Sequence, residues 1–235
     1  MAYTYQGEKG TFEYEVVKKP IRQIKMVVRE GTAVVSAPTR CNISVIHRFV
    51  NDHADWVFEQ IARRAASKET IANGETITVL GAKRKLIIGS GRSHAVMTED
   101  TLTVTVTNPD DESIVLAGVD QFFYKLAKEQ FAASLDRILK RAKAVGLDFD
   151  EPQIFVRKMT TRWGSCTSAK GTIRMNQYLI RMDEKYIDYV MAHELCHLKE
   201  ANHGAGFYAL LIRIMPDCME RRKALHSVDV RNYTY

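Results

Sequence analysis

Residues 186–203 read YIDYVMAHELCHLKEANH. Ile187, Val190 and Met191 follow Asp183, a residue suited to cap a helix, at three- and four-residue spacings, so this stretch is predicted to be helical. His193 and His197 then share one face with about 6 Å between their Cβ atoms, close enough for two imidazoles to meet one metal ion. Glu194 stands about 100° further round, where a carboxylate reaches a water beside that ion without ligating it. The pattern His-Glu-x-x-His therefore predicts metal ligands at His193 and His197 and a general base at Glu194.

His203, ten residues after His193, is the expected third ligand, with Glu200 and Glu220 as competitors for that role. The ten-residue spacing is that of the metzincin motif, but Glu200 stands where metzincins carry a turning glycine. Asn202 and Gly204 are the neighbours that tolerate a left-handed backbone. Three protein ligands leave one tetrahedral position for water, the arrangement of a catalytic zinc, here one per chain.

Upstream, residues 157–166 (RKMTTRWGSC) read as a strand interrupted by Gly164, where another chain or a ligand can approach closely. Arg162, Trp163 and Ser165 are the candidate substrate-binding residues, and Trp163 reads equally well as a core anchor, with Gly164 as a bulge. Tyr178, Tyr208 and His226 are weaker candidates for stabilising an oxyanion. Cys166 has no base beside it in sequence, and Cys196 reads as a small packing residue. Downstream, Phe207, Leu210, Leu211, Ile214 and Met215 form a helical stripe stopped by Pro216, and Asp217 with Glu220 reads as a capping box.

The N-terminal half is richer in strand signals. Phe12 to Val17, Ile24 to Val28 and Val34 to Ser36 precede a helix capped by Asn42 or Ser44 and ending near Ser67. Strands return at Thr76 to Leu80, Arg84 to Ile88 and Leu102 to Thr107. A long amphipathic helix then runs from Val119 to a terminating Gly146. The composition shift sets a boundary near residue 118 and the fold class as α+β: a β-rich region over 1–118 with one helix, and a helix-rich domain over 119–235. No internal repeat is visible.

Of the 235 residues 46% are hydrophobic and 26% charged, with a formal net charge of +6, which excludes a disordered chain and is too mild to require nucleic acid. The longest apolar run, Phe207 to Ile212, is far short of a membrane span, and the first fifteen residues carry no apolar signal core. The four cysteines form no C-x-x-C pair, so the expectation is a reduced, cytoplasmic protein without membrane contact.

The run His193-Glu-Leu-Cys-His197, His203 and Phe207-Tyr208, preceded by Arg162-Trp-Gly-Ser-Cys166 and by Gly171, Ile173, Asn176 and Leu179, resembles the YgjP-like zinc metallopeptidase family, itself similar to SprT-like minimal zincins. That resemblance implies zinc held by His193, His197 and His203, Glu194 as catalytic acid and base, and a small zincin-like α/β metallopeptidase domain. The expected function is a zinc-dependent hydrolase acting on a peptide or protein, with zinc-bound water activated by Glu194. Two alternatives stand beside it. One is a metal-dependent nucleotide pyrophosphatase that meets an anionic nucleotide through Arg157, Lys158 and Arg162. The other is a non-catalytic, DNA-associated zincin, although no zinc finger or basic tail points to nucleic acid.

Overall fold

The computed structural model describes residues 2–29, 31–67, 71–228 and 230. They form a mixed α/β chain with three small sheets and six α-helices among the described residues, divided into two compact units, residues 1–68 and 69–235.

The first unit runs β1 (Ala2–Gly7), β2 (Gly10–Lys19), β3 (Lys25–Arg29), β4 (Thr32–Pro38), α1 (Ile43–Asp52) and α2 (Ala54–Ser67). Its sheet has the order β1-β2-β4-β3. Phe12, Tyr14 and Val16 on β2 and Ala33, Val35 and Ala37 on β4 alternate buried with exposed neighbours, and they pack with Ile46, Val50, Ala54 and Val57 into a separate core. Asn42 caps α1 by accepting from the Ser44 N–H. The single helix expected here is two: His53 leaves helical geometry (φ −114°, ψ 13°), and its ring bonds the Phe49 carbonyl. β1 escaped the sequence reading because its half-buried positions are the tyrosines 3 and 5 rather than β-branched residues.

The second unit begins with β5 (Thr76–Val79), β6 (Ala82–Ser90), β7 (His94–Met97) and β8 (Thr101–Val106), in the order β5-β6-β8-β7. This repeats the first unit strand for strand: antiparallel outer pairs, a parallel inner pair, and helix following the fourth strand. A repeat is therefore present in connectivity where none was read in sequence, because the inner positions are filled by Phe12, Tyr14 and Val16 in one copy and by aliphatic residues such as Leu86 in the other.

α3 (Glu112–Ala144) begins before the expected Val119, because the Asp111 side chain accepts from the Ser113 and Ile114 N–H groups and starts the helix there. It ends as expected: Gly146 (φ 72°) donates to the Lys143 carbonyl and Leu147 to that of Ala142, a left-handed cap. Its 33 residues span about 50 Å, the first part packing on β7 and β8 and the rest on the elements around the site. The composition shift near 118 thus falls inside one helix of the second unit, whereas the two compact units divide at 68/69.

The remainder comprises β9 (Gln153–Arg157), β10 (Gly164–Thr167), β11 (Thr172–Asn176), α4 (Glu184–Cys196), α5 (Ala205–Ile214) and α6 (Cys218–His226), with a sheet in the order β10-β11-β9. The stretch 157–166 is thus the end of one strand, a loop and the start of another, and Gly164 pairs in register with Met175 instead of forming a bulge. The capping box at α6 does not form: the Asp217 carboxylate turns to Arg221 at 2.7 Å and reaches no backbone N–H of the helix. Among the described residues no helix is long and apolar enough to cross a membrane.

Candidate metal centre

Asp183 caps α4 by accepting from the Lys185 N–H, and the buried Ile187, Val190 and Met191 fix which face of the helix turns inward. His193 and Glu194 lie in the last turn of α4, and His197 is its C-cap, still in right-handed helical geometry. α4 is tied to α3 through Asp188, 6% exposed, which accepts from Ser134 Oγ at 2.7 Å and from Arg137 Nη2 at 2.8 Å. The sequence reading missed that tie, since an acidic residue on a helix face ordinarily signals solvent.

His203 is exposed and sits in the bend between α4 and α5. Its Nε2 stands 3.0 Å from that of His193 and 3.1 Å from that of His197. These three residues are the only group of potential metal-holding side chains that converges among the described residues. Glu200 instead holds His197, whose Nδ1 bonds the Glu200 carbonyl at 2.9 Å, leaving Nε2 to face the other imidazoles. Neither Asn202 nor Gly204 turns left-handed: Gly204 has φ −85°, and the bend is made with ordinary backbone, closed by a Gly204 N–H to Asn202 carbonyl bond.

Phe207, fully buried, lies under all three imidazoles, its ring centroid 4.9 Å from His193, 4.6 Å from His197 and 4.7 Å from His203. Phe207 stands in the sequence as part of a helical stripe and of the family-like run, with no role at the site assigned to it, although its four-residue spacing from His203 was the available signal. Burial, then the neighbouring histidines, pushes the His193 imidazole down to about 3, so it is unprotonated at neutral pH. Burial likewise lowers His203. The donor set fits a metal such as zinc. It comprises three imidazole nitrogens, and the two spacings to His203, 3.0 and 3.1 Å, are near the roughly 3.3 Å expected between tetrahedral ligands about 2.0–2.1 Å from the ion.

Glu194, 6% exposed, lies against β10. A Cβ at position 164 would fall 2.6 Å from Glu194 Oε1 and 2.9 Å from Val190 Cγ1, so what approaches Gly164 is α4 itself. The Cys166 N–H donates to the Glu194 carboxylate. Burial dominates and pushes Glu194 up to about 7, while the Arg162 guanidinium and the Cys166 bond oppose the rise.

Of the other candidates, Arg162 is exposed beside Glu194, and its carbonyl accepts from Asn176 Nδ2 at 2.8 Å. Asn176, fully buried, also bonds the backbone of Met159, and its own N–H donates to the Trp163 carbonyl, so one side chain and its backbone hold the loop between β9 and β10. Trp163 is half-buried against the core. Ser165 alternates with Gly164 and Cys166 and so faces the other side of the sheet from Glu194. Tyr178 is buried, Tyr208 stands 6.5 Å from the His203 ring, and His226 is exposed at the end of α6. Burial pushes the Cys166 thiol to about 11 and the Cys196 thiol to about 12, so neither is a nucleophile at neutral pH.

The model of the YgjP-like metallopeptidase domain matches residues 22–228. No curated protein matches the sequence. Among solved structures, the metallopeptidase zymogen abylysin of Pyrococcus abyssi is 19% identical over 43% of this chain and 99% of its own, with a TM-score of 0.37. The metallopeptidase zymogen jannalysin of Methanocaldococcus jannaschii is 24% identical over 39% of this chain and 92% of its own, with a TM-score of 0.33.

Proposed function

The chain belongs to the YgjP-like metallopeptidase family, a peptidase-type hydrolase, and from that premise we propose a zinc-dependent peptidase centred on His193, His197 and His203. The observation that carries this reading is the convergence of three imidazole Nε2 atoms beside a buried carboxylate.

The three histidines would hold one zinc ion per chain. When bound, zinc supplies Lewis-acid polarisation of a carbonyl and lowers the pKa of a water toward about 7. Glu194 then accepts the proton of the attacking water and passes it to the leaving amine. Burial makes the Glu194 carboxylate a more basic proton acceptor than a solvated one, raising it to about 7 in the metal-free chain. The Cys166 N–H keeps the carboxylate aimed, and Phe207 keeps water from beneath the imidazoles. Arg162, with Trp163 in the same loop, borders the approach to Glu194 and is proposed to meet the substrate. Ser165 is proposed to contribute through its backbone, since its side chain faces away.

The test is elemental analysis of untagged protein together with cleavage of a peptide mixture. Wild type should carry about one zinc per chain, and His203→Ala should lose most of it. Glu194→Gln should keep the zinc and lose cleavage by about 10²–10⁴-fold. A wild-type chain that neither carries nor takes up zinc would sink the reading.

A further inference from the structure

α6 carries two adjacent arginines with different surroundings. Arg221 is committed: it pairs with Asp217 at 2.7 Å and donates to the Lys185 carbonyl at 2.8 Å. Arg222 has no carboxylate partner among the described residues. Its guanidinium lies instead over the face of Tyr208, 5.6 Å from the ring centroid, and Tyr208 in turn stands 6.5 Å from the His203 ring and 5.4 Å from that of Phe207. It is only partly exposed, so its position is held by packing.

Arginine presents a rigid, always charged fork that matches a carboxylate with two parallel hydrogen bonds. A guanidinium held near a hydrolytic centre with no carboxylate partner among the described residues is satisfied when the substrate brings one. The distances through Tyr208 keep it within the length of about three to four extended residues from the His203 ring.

Resting on the peptidase reading above, we propose that Arg222 is a specificity-determining residue that pairs with a carboxylate of the substrate, so that the substrate class is a peptide bearing an acidic group within about four residues of the bond cleaved. Arg162, exposed beside Glu194, adds to the same preference.

The experiment uses the full zinc-loaded chain in two measurements. In the first, a mixture of peptides from digested cell protein is incubated with wild type, Arg222→Gln and Arg222→Lys, and cleavage sites are read by mass spectrometry. In the second, a glutamate-containing decapeptide and its glutamine counterpart are titrated against Glu194→Gln protein with and without Arg222→Gln. Wild-type sites should be enriched in Asp or Glu near the cleaved bond. The glutamate peptide should bind about tenfold or more tightly, and both preferences should vanish in Arg222→Gln. Arg222→Lys keeps the charge without the fork and should retain only part of the preference, which separates recognition from misfolding. Equal binding of the two peptides, or an acidic preference that survives in Arg222→Gln, overturns the proposal. Arg222-dependent binding of the glutamate peptide without cleavage of any peptide by wild type would keep the carboxylate site and defeat the peptidase reading instead.

Discussion

Glu194 Oε1 lies 2.6 Å from the point that a Cβ on Gly164 would occupy, and Glu194 Cγ lies 2.8 Å from it. The carboxylate proposed to move the proton therefore rests in a space that only glycine leaves open. Gly164→Ala should push Glu194 away while leaving His193, His197 and His203 as they are. The expected result is a loss of peptide cleavage of at least tenfold at unchanged zinc content. Equal activity in the variant would show that Glu194 does not work from this position.

Phe207 supports three rings at once. Phe207→Ala removes a fully buried aromatic side chain from beneath them and should cost about 3–5 kcal/mol of stability. It should also weaken zinc uptake, because each imidazole loses the surface that orients it. Phe207→Leu, which refills most of the volume, should recover stability more fully than zinc affinity. Thermal unfolding and zinc titration of both variants distinguish the two effects.

The buried Glu194 is a stability burden in the zinc-free chain. Its carboxyl is raised from 4.5 to about 7 by burial, so the unfolded chain ionises first as pH rises and stability falls between those values. Above about 7 the loss is complete, at about 3 kcal/mol. Chelator-treated Glu194→Gln should therefore match wild type at pH 4.5 and exceed it increasingly up to about pH 7, with no further gain beyond. A constant difference across that range, followed by thermal unfolding, would falsify this account.

Asp188 binds the active helix to α3 through Ser134 and Arg137, with Arg141 at 3.9 Å. Asp188→Ala should cost about 3 kcal/mol, the lower end for a broken buried pair because Arg137 keeps partial contact with water. Ser134→Ala, which removes one hydrogen bond from the same carboxylate, should cost about 1 kcal/mol. Denaturant midpoints of the two variants test the ordering.

The motif residues were legible because their spacing is a mechanical statement: four residues apart on a helix means one face, and Asp183 and Ile187 mark where that face points. Gly164 was legible as a place of close approach, although not the identity of what approaches. The loop between β9 and β10 was not, since it is set by Asn176, a residue distant in sequence whose amide satisfies backbone groups that no local pattern reveals. Arg222 was hidden among basic neighbours, because a charge run in sequence does not show which cation finds a partner. The helix start at Asp111 was overlooked because apolar periodicity becomes dense only later, whereas the cap is a single side chain.

The two ββββ sheets share one connectivity, and this bears on how the chain finds its native state. Repeated architectures within one polypeptide invite a strand from one copy to pair in the place of its counterpart, the characteristic misassembly of repeat proteins. β2 offers Phe12 and Tyr14 to its core, where β6 offers Leu86, so a strand in the wrong copy would overfill one interior or leave the other hollow. Divergence of the side chains thus acts as an address, keeping each strand in its own unit.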